Sequence, residues 1–316
     1  MAVKRDNYRT LAEKFYYAGD LEKSLEMYKK ALSHKGNPEG DCLLMFNIGA
    51  IFLELGNINE AKFYNEQALE KDQNFRDAHY QLGVIYEELN NQNLAYRHYY
   101  KASELDQTDT ESRYNMALIN EKMGDYSEMN RLYDEILKIN PDHYYALNNL
   151  GSQLESQGKY EEAYLYIKKS IDANPDFYLS HFNMAVVLKA LGRGEEALNE
   201  YSISKELEPL HGSTYLNMSA YYIENNMIEE AIAVLSEGIS YVPDAFDLYY
   251  NRACCYTKID MPDNAVRDIG KALEQNPYLV VWVNRDKDFD SLRNNSGFIA
   301  FVDKAFQAIE KGRETK

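Results

Sequence analysis

The chain has 316 residues, of which 45% are hydrophobic and 27% charged, a composition typical of a folded protein. The formal net charge is −17, which argues against nucleic acid and anionic lipid as ligands, because both are bound through clustered Lys and Arg. No apolar run is long enough to cross a membrane, the first residues lack the apolar core of a signal peptide, and three cysteines do not make a disulfide framework. We therefore expect a cytoplasmic protein with reduced thiols and no membrane insertion.

Residues of the same kind recur every 34 positions along most of the chain. Turn-forming residues follow this spacing after one step of 37, namely Gly19, Gly56, Asn90, Gly124, Gly158, Gly192, Asn226 and Asp260. A series of prolines and two series of small residues keep the same phase. The spacing predicts eight units, at residues 5–38, 42–75, 76–109, 110–143, 144–177, 178–211, 212–245 and 246–279.

Each unit is predicted to form two helices. In the fifth unit, apolar residues between Leu147 and Gln157 recur at intervals of three and four, the pattern of a helix buried on one face. Gly158 should end this helix in a left-handed conformation, and a second helix follows. The small residues Gly151 and Ala163 are expected to let the two helices approach closely.

Residues 280–316 depart from the repeat. An amphipathic stretch containing Phe298, Phe301, Val302 and Phe306 predicts a helix that covers the exposed apolar end of the last unit. We expect Trp282, the single tryptophan, to fill the core beneath this cap.

The repeat resembles the tetratricopeptide repeat, both in its period and in the residues Leu150-Gly151, Gly158, Ala163 and Pro175 of one unit. The resemblance implies an all-α fold, a right-handed superhelical solenoid of about eight 34-residue helix-turn-helix repeats with a C-terminal capping helix. It divides the chain into a solenoid at 1–279 and a cap and tail at 280–316. It also implies that the first helix of each unit lines a concave groove.

Carboxamide side chains occupy the sixth position of seven successive units. They are Asn47, Gln81, Asn115, Asn149, Asn183, Asn217 and Asn251. A carboxamide both donates and accepts, so it can pair with a peptide group without contacting the ligand's side chain. The series is similar to the asparagine ladder in the repeats of O-linked N-acetylglucosamine transferase, which holds peptide backbone. Two interpretations stay open, since these amides could instead contact only water or a neighbouring helix.

Two further series accompany the carboxamides. The fifth position carries the aromatic residues Phe46, Tyr80, Tyr114, Phe182 and Tyr250, which could hold ligand side chains or pack against the adjacent unit. The twelfth position carries Glu87, Glu121 and Glu155, which form either a solvated face or a stripe that attracts a basic segment of a partner.

The sequence offers no catalytic constellation. Its six histidines and three cysteines lack metal-ligand spacing, and no glycine-rich phosphate loop is present. Because repeats fill the chain, we expect no enzyme activity, no metal and no cofactor.

We therefore predict a non-catalytic adaptor or scaffold for protein–protein interaction that binds an extended peptide, with a basic segment favoured, in its groove. One alternative is a self-assembling homo-oligomer joined through the N-terminal repeat, whose first helix has no preceding neighbour and carries Tyr8, Leu11, Phe15 and Tyr16. A second alternative is a peptide-sensing regulator that acts through a protein partner, because the repeats begin near residue 5 and leave no room for a DNA-binding domain.

Overall fold

The computed structural model describes residues 2–314, and their side chains from residue 4 to residue 311. Over this range the chain folds into consecutive helix-turn-helix pairs, which confirms the predicted fold class. The first four pairs are α1 (Ala2–Tyr17) with α2 (Leu21–Leu32), α3 (Pro38–Glu54) with α4 (Ile58–Lys71), α5 (Arg76–Glu88) with α6 (Gln92–Leu105), and α7 (Thr110–Met123) with α8 (Tyr126–Ile139). The next four are α9 (Tyr144–Ser156) with α10 (Tyr160–Ala173), α11 (Tyr178–Ala190) with α12 (Gly194–Leu207), α13 (Gly212–Glu224) with α14 (Ile228–Tyr241), and α15 (Phe246–Lys258) with α16 (Pro262–Gln275).

The turn inside each pair is set by one residue with a left-handed backbone. The eight residues predicted from the sequence all have positive φ: the glycines lie between 73° and 78°, and Asn90, Asn226 and Asp260 lie between 55° and 59°. Glycine adopts this conformation without steric cost, and Asn and Asp adopt it more readily than other residues. The prediction that these positions end the first helices is therefore confirmed.

Small residues allow the two helices of a pair to pack closely. A Cβ added to Gly151 would lie 2.4 Å from Cγ1 of Ile167 and 3.3 Å from the carbonyl oxygen of Ala163. At the equivalent position in the third pair, a Cβ on Gly83 would lie 2.5 Å from Cε1 of Tyr99. These contacts agree with the role expected of Gly151 and Ala163.

Side-chain caps help to define where several helices begin. The Asp109 carboxylate accepts a hydrogen bond from the backbone N–H of Ser112 at 2.9 Å, and Asp125 accepts one from Glu128 at 3.1 Å. Such caps satisfy N–H groups that have no partner within the helix, and each stabilises a helix by about 1 kcal/mol.

Contacts within the chain define two compact units, each of which contains several of the 34-residue repeats. They comprise residues 1–146 and 147–316, and from here on we call them unit 1 and unit 2. The predicted boundary at residue 279 stays a prediction. Apolar side chains of the C-terminal segment share one buried cluster with α15 and α16, which includes Ile269, Leu273, Phe289 and Phe298.

The C-terminal segment covers the last helix pair, as expected. It contains α17 (Val280–Val283) and α18 (Ser296–Glu314), with Phe289 and Phe298 buried between them and the repeat. The expectation for Trp282 was wrong, because its side chain is 72% exposed and Phe289 fills the core instead. Among the described helices, none is both long and apolar enough to span a bilayer.

Candidate functional site

The sixth-position carboxamides of unit 1 lie in three different environments. Asn47 is half-buried beside a pocket at the start of the unit. Asn115 lies within hydrogen-bonding reach of the Tyr80 and Tyr99 hydroxyls. Gln81 is only 8% exposed, and its Oε1 accepts a hydrogen bond from Nδ2 of Asn65 at 2.6 Å. Gln81 therefore departs from the predicted peptide-binding set, since its longer side chain reaches the neighbouring helix instead of a ligand.

In unit 2, hydrogen bonds join two of the predicted carboxamides, Asn149 and Asn183, to a carboxamide outside the predicted set, Asn148. Asn183 donates from Nδ2 to Oδ1 of Asn148 at 2.9 Å, and Asn148 donates from its own Nδ2 to Oδ1 of Asn149 at 3.2 Å. Asn148 is 3% exposed and occupies the fifth position of its 34-residue repeat, where most repeats carry an aromatic ring. The network fixes the orientation of two neighbouring sixth-position amides. The sequence analysis did not single out Asn148; its exceptional residue type at this position was the available signal.

The next two amides of unit 2 are oriented by their own helices. Asn217 donates from Nδ2 to the carbonyl oxygen of Ser213 at 2.9 Å, and Asn251 donates to that of Asp247 at 2.8 Å. Both side chains are half-buried. Within the described part of the chain, neither Oδ1 receives a hydrogen bond, so each amide keeps its acceptor available.

The fifth-position aromatic residues are half-buried and contact rings of neighbouring helices. Phe46 packs edge-on against Phe75, with ring centroids 6.1 Å apart. Centroid distances to the nearest ring outside the residue's own helix are 5.7 Å for Tyr80, 5.6 Å for Tyr250, 4.9 Å for Phe182 and, to Tyr145, 5.6 Å for Tyr114. The hydroxyl of Tyr250 also donates to Asp286 of the C-terminal segment. Packing against the adjacent helix therefore occupies part of each ring.

The three predicted carboxylates differ in their partners. Glu87 accepts a hydrogen bond from the hydroxyl of Tyr99 at 2.8 Å and lies 3.7 Å from Nζ of Lys122. Glu121 is exposed in the same unit. Glu155, in unit 2, is half-buried and raises the pKa of Tyr201, whose burial is the larger cause of that rise. Of the three, Glu87 thus contacts a tyrosine hydroxyl of a second helix directly, and Glu155 acts on one through its charge.

Two pockets of unit 1 are lined by the repeat positions identified from the sequence. The larger encloses about 540 Å³, and its walls include Tyr80, Val84 and Glu87 from α5 and Asn115 and Lys122 from α7. Burial raises the pKa of Tyr80, and a hydrogen bond with Asn115 opposes that rise. Fifth, sixth and twelfth positions of successive first helices therefore converge on one concave surface.

The second pocket encloses about 300 Å³ at the start of unit 1. Phe46, Asn47 and Ala50 from α3 form one side of it, and three tyrosines and Glu13 from α1 and α2 form the other. The sequence analysis did not assign these tyrosines to a site; the 28 tyrosines of the chain were the available signal.

The histidines have partners within the fold. His79 and His98 face each other with Nδ1 atoms 3.1 Å apart, and Nδ1 of His181 lies 2.7 Å from Oε2 of Glu200. No group of three or more His, Cys, Asp or Glu side chains suited to a metal occurs among the described residues. Cys42, Cys254 and Cys255 are buried free thiols, and burial raises the pKa of Cys255 to about 11, which keeps it protonated at neutral pH.

Comparisons with known proteins identify the repeat. A tetratricopeptide repeat model matches residues 44–75, 77–109, 110–143 and 246–278, and a second tetratricopeptide repeat model matches 132–164. Tetratricopeptide repeats are therefore present in this chain. No curated protein sequence matches it.

Solved structures share the fold at low sequence identity. The pilF protein of Pseudomonas aeruginosa is 19% identical with a TM-score of 0.58, over 70% of this chain and 97% of that one. A chain of the Cut9–Hcn1 hetero-tetramer of the APC/C is 16% identical with a TM-score of 0.58, over 94% of this chain and 58% of that one. At this identity the likeness concerns the fold, which is the one predicted from the 34-residue period.

Proposed function

We propose that the protein is a non-catalytic adaptor whose first helices bind an extended segment of a partner protein. The observation that carries this proposal is the pocket of about 540 Å³ in unit 1. Its walls combine an aromatic ring, a carboxamide and a carboxylate, namely Tyr80, Asn115 and Glu87. This combination suits a peptide, which presents backbone amides and side chains together.

Asparagines of unit 2 supply a second set of peptide contacts in this proposal. The hydrogen bonds that Asn217 and Asn251 make to their own helices hold each amide in one orientation before a ligand arrives. Less side-chain entropy is then lost on binding, which favours affinity. In its spacing the series resembles the asparagine ladder of O-linked N-acetylglucosamine transferase, which holds peptide backbone.

A basic segment is the favoured ligand. The net charge of −17 and the exposed Glu121 attract cations over a distance of about 8 Å at physiological ionic strength. Raising the salt concentration should therefore slow association with a lysine-rich peptide, because charges of this kind act mainly on the association rate.

The test is capture of peptides from a random library by the full chain, followed by affinity measurements with one selected peptide. Replacing Asn217 or Asn251 by Ala should weaken binding about fivefold each, the loss of roughly 1 kcal/mol per hydrogen-bonded contact. Asn225→Ala is the matched control, because Asn225 makes the same type of hydrogen bond, from Nδ2 to the carbonyl oxygen of Tyr221 at 2.8 Å, at the exposed end of α13. Equal affinity of all three variants and the unaltered chain would contradict the role of these amides.

Self-association through the first repeat is a second candidate function. Leu11 is 40% exposed and Tyr17 is 85% exposed on α1, so this helix presents apolar surface to solvent. Sedimentation velocity over rising protein concentration tests it. A single monomeric species at every concentration would exclude this function.

A further inference from the structure

The smaller pocket of unit 1 is unusually rich in aromatic side chains. It is formed where α1, α2 and α3 meet, and it encloses about 300 Å³, at the lower end of the roughly 300–1,000 Å³ typical of small-ligand sites. Its aromatic residues are Tyr16 and Tyr17 from α1, Tyr28 from α2 and Phe46 from α3. The rings of Tyr16 and Tyr17 are nearly perpendicular, at 75°, with centroids 5.8 Å apart. Four rings from three helices therefore surround one small volume.

The charges around this pocket are on balance negative. Glu13 lines the pocket and pairs with Arg9, whose Nε lies 3.6 Å from its Oε1. Glu54 accepts a hydrogen bond from the hydroxyl of Tyr16. These groups carry two negative charges, on Glu13 and Glu54, and one positive charge, on Arg9. Burial raises the pKa of Tyr28 to about 12, and the field of Glu13 adds to that rise, so the tyrosine hydroxyl stays neutral.

Aromatic rings and a negative field together favour a cation that is easily dehydrated. Ring faces attract cations through their quadrupole, and the attraction grows as water is excluded. A primary ammonium such as lysine is strongly hydrated, so it loses much of this gain on leaving water. A quaternary ammonium presents methyl groups that contact the rings while its charge interacts with them.

We propose that this pocket binds a quaternary ammonium group. Phe46 and Asn47 belong both to this pocket and to the predicted peptide-binding set. The inference therefore specifies the chemical group bound at this end of the groove, and in this respect it rests on the proposed function. The group could be carried by a trimethylated lysine of the partner or by a free molecule such as choline. The chemistry recognised is the same in both cases.

The first measurement compares choline with its uncharged isostere 3,3-dimethylbutan-1-ol by calorimetric titration of the full chain. We expect choline to bind at least about tenfold more tightly, because the two differ in charge and not in shape. Equal affinity of the two compounds, or no binding of choline, would overturn the proposal.

Variants locate the binding in this pocket. Tyr17→Ala should weaken choline binding about fivefold, in line with the loss of one cation–π contact at an exposed ring. Because Tyr17 is 85% exposed, its replacement should leave the thermal melt unchanged. Phe46→Leu removes a second ring with little loss of volume. Tyr126→Ala is the control, since Tyr126 is 53% exposed in the same unit and lies outside the pocket. An equal effect of Tyr126→Ala would place the binding elsewhere.

A peptide comparison distinguishes the two sources of the cation. The affinity of a short blocked peptide with one trimethyllysine is measured beside that of the same peptide with unmodified lysine and that of choline. If a partner segment is the ligand, the trimethyllysine peptide should bind more tightly than either. Choline binding that exceeds that of the methylated peptide would assign the pocket to a free ammonium compound and separate it from the groove. Failure of the asparagine variants to affect peptide capture would, in contrast, contradict the proposed function and leave the choline result standing.

Discussion

His98 and His181 should respond to pH with opposite signs, because the side chains that face them differ. His98 in the third pair faces His79, whereas His181 in the sixth pair faces Glu200. Burial lowers the pKa of His98 to about 4, and the charge of His79 adds to the effect. Burial also lowers the pKa of His79, with Lys101 contributing. For His181, burial opposes the charged form, but hydrogen bonds with Glu200 and the carbonyl oxygen of Pro175 outweigh it and raise the pKa.

The sign of each effect follows from proton uptake by the unfolded chain. An unfolded histidine titrates near pH 6.5. Below this pH the unfolded state therefore binds a proton at His98, whereas the folded state does not bind it until the pH approaches 4. The stability that His98 contributes is therefore present above pH 6.5 and is lost as the pH falls toward 4. The difference between 6.5 and 4 corresponds to about 3 kcal/mol, of which about 2 kcal/mol is lost by about pH 5. His181 behaves in the opposite way, because its contribution is present below pH 6.5 and is lost as the pH rises through its raised pKa.

Hydrogen exchange measured by mass spectrometry reports each region separately. Peptides from 76–109 would be compared between the unaltered chain and His98→Phe at about pH 7.5 and about pH 5, with rates corrected for intrinsic exchange. Phenylalanine keeps a ring beside Tyr86, on which His98 stacks at 5.4 Å, but does not titrate. The free energy of opening of the unaltered chain, relative to the variant, should fall by about 2 kcal/mol on acidification.

His181→Phe, followed in peptides from 178–211, provides the matched control. In these peptides the free energy of opening of the unaltered chain, relative to His181→Phe, should rise on acidification. An identical pH response of the two variants would refute the reasoning, since it would mean that the facing residue, His79 or Glu200, does not determine the sign.

Two further predictions concern packing. Gly83→Ala should destabilise unit 1 by about 1–3 kcal/mol, because the new Cβ would displace the ring of Tyr99. In Gly212→Ala the new Cβ meets no atom within 4 Å, so this variant should be neutral or slightly stabilising. Urea denaturation followed by circular dichroism measures both. Phe289→Ala should cost about 3–5 kcal/mol and Trp282→Ala less than about 0.5 kcal/mol, as judged from thermal melts, and a reversed order would show that the tryptophan is the core residue of the cap.

The sequence predicted the helix pairs because their determinants are local. A glycine, asparagine or aspartate at the turn position is enough to end a helix, and this requirement repeats with the helices themselves. Gly151 and Ala163 were predicted correctly for a similar reason, since close packing of two helices needs a small residue at a defined register. The period of 34 therefore contains most of the information about the fold.

The direction of individual side chains could not be predicted in the same way. Gln81 and Asn115 share a repeat position, but one additional methylene takes the Gln81 amide to Asn65. Trp282, the single tryptophan, was expected to fill the core beneath the cap, yet Phe289 is the buried residue there. In both cases the outcome depends on competition between neighbouring side chains from different helices, which a single position in the sequence does not encode.

The repeat makes the departures from its pattern informative. Tyr99 and Tyr201 occupy equivalent positions and both are fully buried. The hydroxyl of Tyr99 donates to Glu87, but the described residues provide no hydrogen-bond partner for the hydroxyl of Tyr201. At the position equivalent to Glu87, the sixth repeat, which contains Tyr201, carries Lys189, and this lysine pairs with Glu224 instead. Since a common backbone presents these different side chains, the chemistry of each part of the surface is set by local substitutions, and ligand selectivity should be sought in the repeats that depart from the pattern rather than in those that obey it.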